Sequence, residues 1–100
     1  MKVIDEELMQ AFRLKTHCEL CGYALKYYAH PHHCRHRGHD GGGRLDIQIN
    51  LISLGGPWDC NCHGKYHDGN IPREQILEVV AKREGLTVEE LTQKLDEARR

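Results

Sequence analysis

One hundred residues suffice for one small domain, and a single Phe and a single Trp leave its aromatic core thin. A net charge of −1 with neutral histidines excludes a chain whose whole surface attracts nucleic acid, and the longest apolar-leaning run, IQINLISL, is far too short to span a membrane. Five cysteines are an odd number for a disulfide framework, so a metal is the expected staple and the cytoplasm the expected setting.

In chain order, Ile4, Leu8 and Phe12 recur every fourth residue around Asp5-Glu6-Glu7, predicting a short N-terminal helix. CELCG at 18–22 reads as a tight turn, with Gly22 free to take positive φ. YALKYYAHPHH reads as extended, because Pro31 disfavours a helix through the histidines. A basic, glycine-flexed loop follows, with Arg35, Arg37 and Arg44 against Asp40 alone. Leu45, Ile47, Ile49 and Leu51 then alternate with the period of a half-buried strand. GGPWDCN begins irregularly, and a short helix is expected over Cys62–His67. Pro72 suits a first helical position after Asn70 or Ile71, with Ile76, Leu77, Val79 and Val80 on the apolar face and Gly85 as the stop. Thr87-x-x-Glu90 is a capping box for a last helix carrying Val88, Leu91 and Leu95. Both C-terminal helices read as packing elements.

Cys18-x-x-Cys21 is half a zinc site. Cys60 and Cys62 can complete it with four thiolates, although a single spacer stands where two are usual, and Cys34 or a nearby histidine can replace one thiolate. With Cys18, Cys21, Cys60 and Cys62 as the four ligands, Cys34 is free. The rival is a local finger of Cys18, Cys21, Cys34 and His39. Pro31 counts against it, as do Leu25 in place of the finger's bulky aromatic and the unemployed pair at Cys60 and Cys62. His63 and His67, four apart on a helix, share a face with Cβ atoms about 6 Å apart, right for two imidazoles on one ion. His32 and His33 are adjacent on an extended segment and point to opposite sides, so one can ligate while the other serves as a base. His30, His36 and His39 read as solvated loop residues.

The order of these motifs, HH at 32–33, GHDGGG at 38–43, NLISL at 50–54 and CHGKYH at 62–67, resembles the HNH endonuclease family over roughly residues 18 to 68. CELCG and CNC match the zinc-binding cysteine pairs of many small HNH proteins, and phage-encoded members are often of about this length. The resemblance implies an α+β fold, a single zinc-stapled domain over 1–100. Its core would be a ββα-metal (His-Me finger) motif at about 18–68, with an N-terminal helix before it and a helical extension over 71–100. It further implies His33 as general base, Asn50 as the brace of the loop carrying it, and His32, His63 and His67 as ligands of one divalent cation. The sequence departs from the family at GGPWDCN, a longer step than usual, and at His32, where many members have an acid.

The chemistry of the residues agrees with that implication. Phosphodiester hydrolysis needs an activated water, which a neutral imidazole can supply, and charge stabilisation at the phosphate and leaving oxygen, which a cation can supply. Three imidazoles favour Zn, Ni or Mn over Mg. Arg35, Arg37 and Lys65 are placed to hold flanking phosphates. The expectation is a metal-dependent DNA endonuclease with one structural zinc and one catalytic cation. DNA is the expected partner, with a second copy of the chain or phage packaging or recombination proteins as further candidates. The alternatives are a zinc-stabilised DNA-binding or recombination-accessory module without efficient cutting, and a zinc-finger interaction module.

Overall fold

Asp5 starts the first helix in the computed structural model, which describes residues 3–34 and 45–98. Its carboxylate accepts from the Leu8 backbone N–H at 3.0 Å and caps α1, Glu6–Arg13. Acids occupy the first turn and Arg13 the last, as the helix dipole favours. The buried stripe is Met9 and Phe12, with Leu8 half-buried beside them. Ile4, expected on that face, precedes the cap and is 50% exposed.

β1, His30–His33, pairs antiparallel with β2, Leu51–Leu54; His30 stands opposite Leu54, His32 opposite Ile52 and His33 opposite Leu51. The alternation over 45–51 predicts a strand there, but β2 starts only at Leu51. Gln48–Asn50 form instead a turn of 3-10 helix, closed by the Asn50 N–H donating to the Ile47 carbonyl at 2.9 Å, while the Asn50 side-chain amide donates to the Leu45 carbonyl, also at 2.9 Å. β2 does not alternate because both of its faces are covered, and all four of its residues are buried. Leu51 packs on Met9 and Phe12, and the Ser53 hydroxyl donates to the Phe12 carbonyl at 2.6 Å. Ile52 and Leu54 face the opposite way, into Ile76, Val80, Leu91 and Leu95. Each such side chain removed from water contributes roughly 1.5–3 kcal/mol before entropy is charged against it.

Three further helices follow: α2, Cys62–His67; α3, Arg73–Glu84; and α4, Val88–Ala98. Pro72 lies at the cap of α3, one position earlier than expected, and Gly85 ends the helix at φ 73°. The capping box of α4 is reciprocal: Thr87 N–H donates to Glu90 Oε1 at 3.0 Å, and Glu90 N–H to Thr87 Oγ1 at 3.1 Å. Among the described residues the architecture is thus small α+β, four α-helices around a two-stranded antiparallel sheet. No helix there is long and apolar enough to cross a membrane.

Candidate metal centres and active site

The turn after α1 presents Cys18 and Cys21. Gly22 closes it at φ 78°, its N–H donating to the Cys18 carbonyl at 2.9 Å. The opposite wall is Cys60 and Cys62, the latter opening α2. All four sulfurs lie within 4.8 Å of one another. Thiolates about 2.3 Å from a tetrahedral ion stand roughly 3.8 Å apart, so the cluster can hold a metal such as zinc.

The single spacer between Cys60 and Cys62 is explained by Asn61. It adopts the left-handed conformation, φ 58°, and turns the chain so that both thiols point one way. Gly55 lies directly beneath the Cys60 sulfur, where any Cβ would collide with it.

Burial pushes the Cys62 and Cys60 thiols up, and crowding by the other cysteines adds to the rise at Cys62. Cys18 goes the other way. Burial would raise it, but backbone N–H groups of Cys21, Gly55 and Leu20 aim at its sulfur and favour the thiolate. Such a cluster exchanges protons for a cation. Cys34 is not in it. Its side chain is fully buried in the apolar core, which pushes the thiol up to about 12, and its N–H donates to the Asn50 carbonyl at 2.7 Å. His39, the last ligand of the local-finger alternative, lies outside the described residues.

A second group lies where β1 meets α2. His32, His63 and His67 bring one ring nitrogen each within 4.8 Å of the others. His63 and His67 approach nitrogen to nitrogen at 3.2 Å, close to the separation of about 3.3 Å that two imidazoles have on one tetrahedral zinc. His32 is buried and meets Tyr66 edge-on at 4.7 Å between centroids. Burial, with the His67 and His30 rings nearby, holds His63 below the usual imidazole range and keeps it neutral, as a ligand must be. These three residues can hold a divalent cation.

Pairing with Leu51 places His33 on the opposite face of β1, towards α1. There its Nε2 meets Asp46 Oδ1 at 2.7 Å. Asp46 is buried, and its second oxygen accepts the Asp5 N–H at 3.0 Å. Asp46 was not among the residues that motif reading selects. Asn50, fully buried, takes the Cys34 N–H on its carbonyl and donates its amide to Leu45, so it ties residue 34 to residue 45.

Lys65 is exposed on α2, and Arg35 and Arg37 lie outside the described residues, as do His36 and His39. His30 departs from its reading as a loop residue. It belongs to β1, stacks on His63 at 5.1 Å with 23° between the planes, and covers Gly56 so closely that a Cβ there would clash with the ring. Compared with protein-family models, with curated proteins and with solved structures, the chain matches none.

Proposed function

We propose that this chain is a metal-dependent DNA endonuclease of the HNH type, hydrolysing phosphodiester bonds with His33 as general base and one divalent cation held by His32, His63 and His67. The observation that carries the reading is the division of labour between neighbouring residues of one strand. His32 faces two histidines of α2 within ligand distance, while His33 faces a buried carboxylate. Candidate ligands from a strand and from a short helix, His32 of β1 with His63 and His67 of α2, are what the ββα-metal resemblance leads one to look for.

The contact between His33 Nε2 and Asp46 Oδ1 suits a base: with the ring proton on Nε2 donated to the carboxylate, Nδ1 keeps a lone pair for a water proton. Asp46 also fixes the plane of the ring, and Asn50 holds together the two ends of the segment that follows it. A cation among the three histidines would supply positive charge to the phosphate and to the leaving 3′ oxygen. Imidazole donors suit Zn, Ni or Mn better than Mg. The four-cysteine cluster is read as the structural zinc, because its thiolates would close the coordination sphere. One such site cuts one strand, so double-strand cleavage requires a second copy or a second event.

Plasmid nicking with Mn, Ni, Mg or Zn tests this directly. Wild type should nick with at least one ion, and His33→Ala should be slower by about 100-fold or more. No metal-supported nicking, or equal nicking by the variant, overturns the reading.

A further inference from the structure

Beside the histidine group runs a surface that the hydrolytic reading does not use. Two adjoining hollows, of about 460 and 440 Å³, share Arg13, Tyr27 and Tyr28 as lining. One ends on His30 and His63, and the other continues to Lys15 and Lys26. Among the described residues no acidic side chain lines either hollow, in a protein whose net charge is −1. Arg13 donates to the neutral Gln10 Oε1, so its charge is not cancelled there, whereas Lys15 is shared with Glu19 at 3.4 Å.

The rings along this path are turned outward. Tyr27 is 61% and Tyr28 68% exposed, against a core with hardly any aromatic residues. They are also anchored. Asp59 accepts the Lys26 and Tyr27 N–H groups at 2.9 and 3.3 Å and fixes this segment against the loop that bears Trp58, itself 80% exposed. Exposed planar rings on a fixed backbone, between cations and next to a candidate cleavage site, have one well-matched ligand. Bases offer their faces only when unpaired, since a duplex hides them inside its stack and shows phosphates outward.

We propose that this groove binds an unpaired nucleic-acid strand, with Tyr27 and Tyr28 stacking on its bases and Arg13 and Lys26 on its phosphates. Resting on the nuclease reading, this makes the substrate a DNA with a single-stranded segment beside the cleaved bond. The strand leaves the histidine group past His30.

Fluorescence anisotropy tests it on the protein as purified, with each probe run on a denaturing gel afterwards to show that it is intact, so that binding and not cutting is read. The probes are a labelled oligothymidylate of about 12 nucleotides and a blunt duplex of the same length. Wild type should bind the strand more tightly than the duplex. The double variant Tyr27→Ala/Tyr28→Ala should bind the strand about tenfold or more weakly, with duplex binding unchanged. The Tyr27→Phe/Tyr28→Phe pair should retain the preference, because stacking needs the ring and not the hydroxyl. No strand binding, equal affinity for strand and duplex, or an unaltered alanine variant overturns the proposal. The two readings fail separately. Tyrosine-dependent strand binding by a protein that nicks nothing keeps the groove and removes the nuclease, and metal-supported nicking by a protein indifferent to Tyr27 and Tyr28 does the reverse.

Discussion

If the nuclease reading holds, Asp46 would act on the reaction through His33, which sets how its loss should look. Asp46→Asn keeps the shape of the side chain, and its amide can present a donor where the ring needs an acceptor. If His33 is the base, kcat for nicking should fall by about 10- to 100-fold with KM little changed. In a His33→Ala background the same substitution should cost almost nothing further, because the two residues act as one unit. Equal, additive losses in both backgrounds would instead mark Asp46 as a structural residue. His33 was legible from its place in a motif, but Asp46 was not. An acid at the polar position of an alternating run ordinarily faces water, but Asp46 is buried between His33 and the start of α1, contacts distant in sequence. His30 is exposed as expected, but its place in β1 and its stacking on His63 were hidden for the complementary reason. Nothing local shows that Gly56, far along the chain, leaves room for its ring.

Between elements, Arg83 on α3 makes a polar tie to four acceptors. Its guanidinium donates to Glu19 at 2.8 Å, to the Leu51 carbonyl at 2.9 Å, to the Gln48 carbonyl at 2.7 Å and to Glu84 at 2.8 Å. One side chain thus joins the Cys18–Cys21 turn, the start of β2 and its own helix. Lysine keeps the charge but lacks the fork that reaches four acceptors. Arg83→Lys should therefore lower stability by about 2 kcal/mol in urea unfolding. Glu84 adds a pH dependence. Burial opposes its ionisation, but donors from Gln48 and Arg83 prevail and hold its pKa below the usual 4.5. Its contribution is then complete above 4.5 and lost as pH falls through the lowered value. Glu84→Gln should flatten the acid limb of the stability curve and leave the slope above pH 5 unaltered. Elements with local signals were readable beforehand: α2 to the residue, the Gly85 stop and the Thr87–Glu90 box. β2 was displaced because its burial on both faces erases alternation, and the α1 stripe because Ile4 falls before the cap.

At the scale of the molecule, the cysteine cluster joins residues 18–21 to residues 60–62, and α2 begins at one of its ligands. With so thin an aromatic core, closing that long loop through a metal should supply much of the net stability. The two zinc arrangements weighed from the sequence make opposite predictions at single sulfurs. Cys60→Ser should lose one zinc per chain relative to wild type and lower the melting temperature sharply. Cys34→Ser should keep the wild-type zinc content yet still destabilise by about 1–3 kcal/mol, because it puts a hydroxyl in a fully buried apolar site. Zinc lost from Cys34→Ser and kept by Cys60→Ser would restore the local finger. The cluster also bears on the histidines. Asn61 turns between the two cysteines, and the His63 N–H donates to the Gly55 carbonyl at 3.0 Å, so the walls of the cysteine cluster orient the first turn of α2. Cys60→Ser should therefore reduce nicking even at cation concentrations that saturate the histidine group. Restored activity at high cation would show that α2 holds His63 and His67 in place without the thiolates.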